Sequence, residues 1–212
     1  MTEIERRGRR ERRGIVFSAS SAISAFLFVI VIHAQAPSAV ATATFAGGCF
    51  WSMEHVFDEL PGVISVTVGY AGGKAKKPSY EQVEMGVTGH AESAQVVYDP
   101  KKIAYDTLLD AYWRNTDPTD GAGQFCDQGT QYRPIIFVDD EPQRKLAEQS
   151  KAALEQSGRF KRIVTRIEPS SQFWPAEAYH QHYYKTHAAA YTMYRVGCGR
   201  DARLRQLWGS PH

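Results

Sequence analysis

Cys49 stands in "FAGGCFWSMEHVF", residues 45–57, after two glycines and before two aromatics. A glycine pair permits a tight turn and lets a ligand approach the backbone closely. If a helix starts at Cys49, its first amides and its dipole favour the thiolate, which is the nucleophilic form. Phe50 and Trp51 could wall a small apolar pocket beside that sulfur. A thiolate against an apolar wall suits a substrate carrying a soft group on carbon. The plain alternative is a small buried residue, since free cysteine is among the most buried types.

Three irregular stretches carry further polar groups. "SYEQVEMGVTGHAE" (79–92) supplies Tyr80 and Glu92, "GQFCDQGTQYR" (123–133) supplies Asp127 and Tyr132, and "FWPAEAYHQHYY" (173–184) supplies His180 with three tyrosines. Singly, each is ordinary: tyrosine sits at core edges and glutamate is usually solvated. Two rival readings use the same residues. One is a cysteine hydrolase with His55, His90 or His180 as base. The other is an exported binding module with a structural Cys126–Cys198 disulfide. The cysteines are far apart in sequence and no Cys-x-x-Cys or His-x-x-His pair occurs, so no metal is expected.

The elements that must position these groups alternate only loosely. "ATATF" (41–45), "VISVTVGY" (63–70), "HAESAQVVYDP" (90–100), "RPIIFVDD" (133–140) and "RIVTRIEPS" (162–170) read as strands. Helices are expected over 49–60, 102–116, 141–158 and 174–187, the third with Pro142 in its first turn and Gly158 at its end. The fold class this predicts is α+β: a two-layer sandwich of a mixed, mostly antiparallel sheet with helices packed on it, and an irregular C-terminal tail over 185–212.

The chain has 212 residues and a formal charge of +2, but residues 1–14 hold six arginines against three glutamates. The remainder is nearly neutral and offers no nucleic-acid surface. An apolar stretch from Ile15 to Ile32 follows, ending in Ala34-Gln35-Ala36. Residues 1–36 therefore read as a signal peptide or an N-terminal membrane anchor, which places the domain in the periplasm or facing it; a misassigned start codon would leave it cytoplasmic. Residues 37–212 form a single domain.

"GGCFWSMEHVF", "GVISVTVGYAGG", "YEQVEMGVTGHAESAQVVYDP", "GQFCDQGTQYRPIIF" and "FWPAEAYHQHYY" together resemble peptide-methionine (S)-S-oxide reductases of the A type. The matching segments keep the family's order across about residues 43–184. The resemblance implies reduction of the S epimer of methionine sulfoxide, free or in proteins, with thiol electrons and no cofactor. It places the nucleophile on Cys49, the methyl-binding pair on Phe50 and Trp51, the acid on Glu92, and oxygen-binding hydroxyls on Tyr80 and Tyr132. Asp127 matches a further site aspartate.

Attack by the thiolate on the sulfoxide sulfur pushes charge onto oxygen, so a proton must be supplied there. Glu92 does this only if burial keeps it protonated. The sulfenic acid left on Cys49 needs a second thiol. The resemblance implies Cys198, set between Gly197 and Gly199 in a mobile tail, and a Cys49–Cys198 disulfide reduced by a thioredoxin-like partner. A monomer is expected. Cys126 departs from the asparagine common in the family and is either structural or an alternative resolving thiol.

Overall fold

The structure, a computed structural model, describes residues 40–209. The leader expected over residues 1–36 lies outside them. Among the described residues no helix is long and apolar enough to cross a membrane.

The described residues begin with strand β1 (Ala41–Ala46), helix α1 (Phe50–Asp58), β2 (Val63–Ala71), α2 (Tyr80–Glu84), β3 (Ala91–Tyr98) and α3 (Tyr105–Arg114). A two-stranded hairpin of β4 (Gly123–Gln124) and β5 (Asp127–Gln128) leads through a 3-10 turn, Thr130–Tyr132, into β6 (Ile135–Val138). Helix α4 (Glu141–Gln156), β7 (Arg166–Pro169) and β8 (Trp174–Pro175) follow. The chain closes with a 3-10 turn, Ala178–His180, and helices α5 (Tyr183–Thr186), α6 (Ala188–Gly197) and α7 (Arg200–Trp208).

Six strands form one sheet in the order β7-β6-β1-β3-β2-β8. All neighbours are antiparallel except β6 and β7. The mixed, mostly antiparallel sheet with packed helices is thus the expected α+β architecture. Alternation in β1 sends Ala43 and Phe45 into a core shared with Met53 and Phe57 of α1, Leu108, Leu109 and Tyr112 of α3, and Ala147 of α4. Phe45 stacks on Phe57 at 4.8 Å and on Tyr112 at 5.4 Å between ring centres. Burial of each such ring contributes about 2 kcal/mol. This packing fixes α1, and so its first residue, against the sheet.

Local signals set several boundaries. The Asp140 side chain accepts from the Gln143 amide and starts α4, with Pro142 in the first turn. Ser79 and Gln82 form a capping box that starts α2, a short helix the sequence reading passed over as irregular.

The expected helix over 174–187 is corrected. The segment instead pairs briefly with β2, where Gly69 lies opposite Pro175, before its two short turns. Gln181 explains the difference: its side chain accepts from the Val68 amide and donates to the Val68 and Ala176 carbonyls, holding the chain open against β2.

The tail is corrected too. Residues 188–208 are two helices. Leu204 and Leu207 are buried, Trp208 packs edge-on to Phe160, and its indole donates to the Thr116 carbonyl at 3.1 Å. The glycines read as flexible mark helix ends instead: Gly199, at φ +69°, opens α7.

Candidate active site

Cys49 is the N-cap of α1. Gly48 before it has φ +85°, and a Cβ there would lie 2.6 Å from Gln124 Cβ, so both conformation and space demand glycine. The turn aims the first amides of the helix into one site. Phe50 N–H donates to Glu92 Oε2 at 3.0 Å, and the Asp127 carboxylate faces Cys49 at the same helix end. The nucleophile candidate and both carboxylates are thereby gathered at one helix end.

Glu92 is carried by β3 opposite Tyr70 of β2 and is 3% exposed. Burial, with Asp127 and Glu84 adding to it, raises its pKa to about 8. It is therefore protonated at neutral pH. The Phe50 amide occupies Oε2, which leaves Oε1 as the proton carrier.

Cys49 is 6% exposed. Burial, then the charges of Glu92 and Asp127, push its thiol well above the usual value, while bonds from Tyr194 and the Trp51 amide oppose the shift. Burial also raises Asp127. The hydroxyls of Tyr80 and Tyr132 are raised by burial and by the nearby Glu92, and both also face Cys49.

The aromatic wall is real. Phe50, Val68, Tyr70, Val83 and Ala176 form a second apolar cluster with Trp51, Tyr80 and Trp174 against it. His180 props this wall. Its Nδ1 accepts from the Trp51 indole at 3.2 Å, and its ring packs on Phe50, Trp51 and Tyr80. Burial lowers its pKa, so it is neutral. Glu177 accepts from the Tyr80 amide and the Tyr70 hydroxyl, locking the segment to β2.

None of the three histidines of the hydrolase reading serves Cys49. His55 bonds Tyr191, His90 bonds Gly73 and Ala75, and His180 bonds Trp51.

The sequence reading missed Tyr194 and Arg200 of the C-terminal helices, and gave Tyr183 only as one of the three tyrosines of 173–184. The Tyr194 hydroxyl donates to Asp127 Oδ2 at 2.5 Å and faces Cys49, and its ring meets Trp51 edge-on at 6.0 Å. Tyr183 stacks on Trp51 at 3.9 Å. Arg200 lies buried behind the Gly47-Gly48 turn. The Tyr191–Tyr194 spacing in "AAAYTMYRV" and the Leu204–Leu207 spacing in "RDARLRQLW" were available as helical signals.

The cysteine pairing also differs from the Cys49–Cys198 bond implied by resemblance. Cys126 and Cys198 form a disulfide, with Cα atoms 4.9 Å apart, and Cys49 is free. Cys126 sits at the tip of the β4–β5 hairpin, beside Phe125 at φ +60°. Cys198 sits at the α6–α7 junction. The rigid hairpin and the junction meet, which accounts for the pair.

The family model described as peptide methionine sulfoxide reductase matches residues 41–212. Peptide methionine sulfoxide reductase MsrA of Bacillus licheniformis is 51% identical over 171 residues, covering 80% of this chain and 94% of that protein. The MsrA of Ligilactobacillus salivarius is 53% identical over 168 residues, covering 79% and 97%. Among solved structures, methionine sulfoxide reductase A of Corynebacterium diphtheriae superposes with TM-score 0.63 at 32% identity, covering 73% of this chain and 77% of that one. Mxr1 of Saccharomyces cerevisiae in reduced form gives TM-score 0.66 at 35% identity, covering 72% and 88%. With a free thiol capping a helix beside a protonated carboxyl and an aromatic wall, the chain belongs to the peptide methionine sulfoxide reductase family and is a thiol-dependent oxidoreductase acting on methionine sulfoxide.

Proposed function

We propose that this chain reduces the S epimer of methionine sulfoxide through Cys49 and ends each cycle as the Cys126–Cys198 disulfide. The observation that carries this reading is the coexistence of a free Cys49 with a bonded Cys126–Cys198 pair around one site.

In the first step the Cys49 thiolate attacks the sulfoxide sulfur. Phe50 and Trp51 hold the S-methyl group. Glu92 Oε1 delivers the proton that oxygen needs, and Tyr80 and Tyr132 donate hydrogen bonds to it. Asp127 faces Cys49 at the same helix end. Methionine leaves, and the oxygen stays on Cys49 as sulfenic acid. The Cys198 thiol then displaces that oxygen as water, forming Cys49–Cys198. Cys126 attacks the Cys198 sulfur, which releases the Cys49 thiol and leaves Cys126–Cys198. A thioredoxin-like dithiol reduces this last bond. Cys126 is exposed and Cys49 buried, so the relay carries the oxidation from the pocket to the surface. Sulfoxide and dithiol are converted to methionine, disulfide and water.

The test is stereochemical. Offered both epimers with dithiothreitol, the enzyme consumes the S form and leaves the R form; equal consumption of both overturns the reading.

The pH dependence follows from Glu92. A carboxyl with a pKa of about 8 holds its proton below that value and loses it above. The Cys49 thiol titrates higher, so its thiolate fraction still rises across this range and offsets the loss of that proton. The single-turnover rate climbs with pH below about 8 and levels off above it. Glu92→Gln slows that step by about a hundredfold or more and removes this break, so the rate keeps climbing. An unchanged break in the variant assigns the titration to another group.

A further inference from the structure

Arg200 is 1% exposed, among the most deeply buried side chains of the protein. Its Nη2 donates to the Asn115 carbonyl at 2.7 Å and to the Gly47 carbonyl at 3.2 Å. Its Nε and Nη1 have no hydrogen-bond partner. The neighbouring arginines of the same segment are neutralised, Arg195 by Asp201 and Arg203 by Asp117. Among the described residues Arg200 is in ion-pair contact with no carboxylate. Its guanidinium lies 4.5 Å over the Phe125 ring, in the hairpin that carries Cys126 and Asp127. On the other side, a Cβ on Gly48 would lie 3.5 Å from Nη1, so Nη1 flanks the residue just before Cys49.

Arg200 holds the Asp127 carboxyl down without forming an ion pair with it, and it also faces Arg195, Tyr191 and Tyr194. This buried cation is therefore only partly compensated, and a further negative charge beside it is stabilised. The groups facing Cys49 from the surrounding elements are Glu92 on β3, Asp127 on the hairpin, Tyr194 on α6, Tyr80, Tyr132 and Arg200 on α7. Glu92 is neutral at pH 7, Asp127 disfavours a second anion, and the tyrosines carry no charge. Arg200 is the only cation in this set.

We propose that Arg200 is a positioning residue whose buried charge, in ion-pair contact with no carboxylate, is the standing counter-ion of the Cys49 thiolate. It reaches sulfur through the field it sets behind the Gly47-Gly48 turn. Asn115, Gly47 and Phe125 fix where that field originates. The proposal rests on Cys49 being the nucleophile. Its test reads thiol ionisation rather than turnover, so the two stand or fall separately.

In the fully reduced chain, the iodoacetamide rate at Cys49 is followed against pH by peptide mass spectrometry, with Cys126 and Cys198 as internal references. Arg200→Met and Arg200→Gln move the Cys49 midpoint upward by about one pH unit, a rate about tenfold lower on the neutral side. Arg200→Lys, which keeps the charge, returns most of it. Glutamine can keep a bond to the Gly47 or Asn115 carbonyl, so it decides the matter should the methionine variant fail to fold. A folded Met or Gln variant with the parent profile overturns the proposal, as does a folded Lys variant no better than Met.

Discussion

Cys49→Ser forms no methionine from the S sulfoxide, a loss of more than about 10⁴-fold, in single turnover as well as with excess reductant. A serine hydroxyl is hardly ionised in water and is a far weaker nucleophile toward sulfur than a thiolate. The substitution is nearly isosteric. The cap makes no side-chain hydrogen bond, and its backbone bonds, from the Ser52 and Met53 amides to the Cys49 carbonyl, do not involve the side chain. Circular dichroism and the thermal midpoint should therefore match the parent protein. The amount of methionine released in one minute, read by chromatography, decides the matter, and release at anything near the parent rate removes Cys49 from the chemistry.

Cys198→Ser separates the steps. The variant still attacks the sulfoxide, so it yields about one methionine per enzyme, and then stalls as the Cys49 sulfenic acid because no neighbouring thiol displaces the oxygen. Steady-state turnover with a thioredoxin-like dithiol drops at least about a hundredfold, while the burst keeps its amplitude. A dimedone adduct at Cys49 identifies the stalled species. Cys126→Ser behaves differently. Cys198 still resolves, and the protein accumulates a Cys49–Cys198 bond that the parent protein passes on. Full turnover of Cys198→Ser with the dithiol would transfer the resolving role to Cys126.

Much of this was legible before any coordinates. The sheet order could not be read, but its strands could, because alternation in "ATATFA" and β-branched runs in "VISVTVGY" follow directly from one face being buried. The site around Cys49 was legible because glycine, cysteine and aromatics in succession have few structural reasons to occur together. The C-terminal third was harder. "VGCGRD" looks flexible by composition, yet Gly197 and Gly199 mark the end of one helix and the start of the next, held by Arg200 on carbonyls 85 and 153 residues away in sequence. Long-range anchoring of this kind leaves no periodic trace. For the same reason the Cys126–Cys198 pair was one option among several: a hairpin tip and a helix junction meet only once the sheet has been assembled. The extended course of residues 174–181 depends on Gln181 reaching Val68, a contact that local propensity does not encode.

Tyr194 lies one helical turn before Cys198, and its hydroxyl is bonded to the carboxylate of residue 127 and faces the sulfur of residue 49. If the cycle closes on the Cys126–Cys198 bond as proposed, that bond also seats a stopper. Such a spent molecule presents no open sulfur to a second sulfoxide or to peroxide, and Cys49 is sheltered from irreversible sulfinic damage until a reductant cuts the strap. Repair capacity under oxidative attack is then limited by the supply of reducing equivalents, and the enzyme waits in a dormant form instead of being consumed.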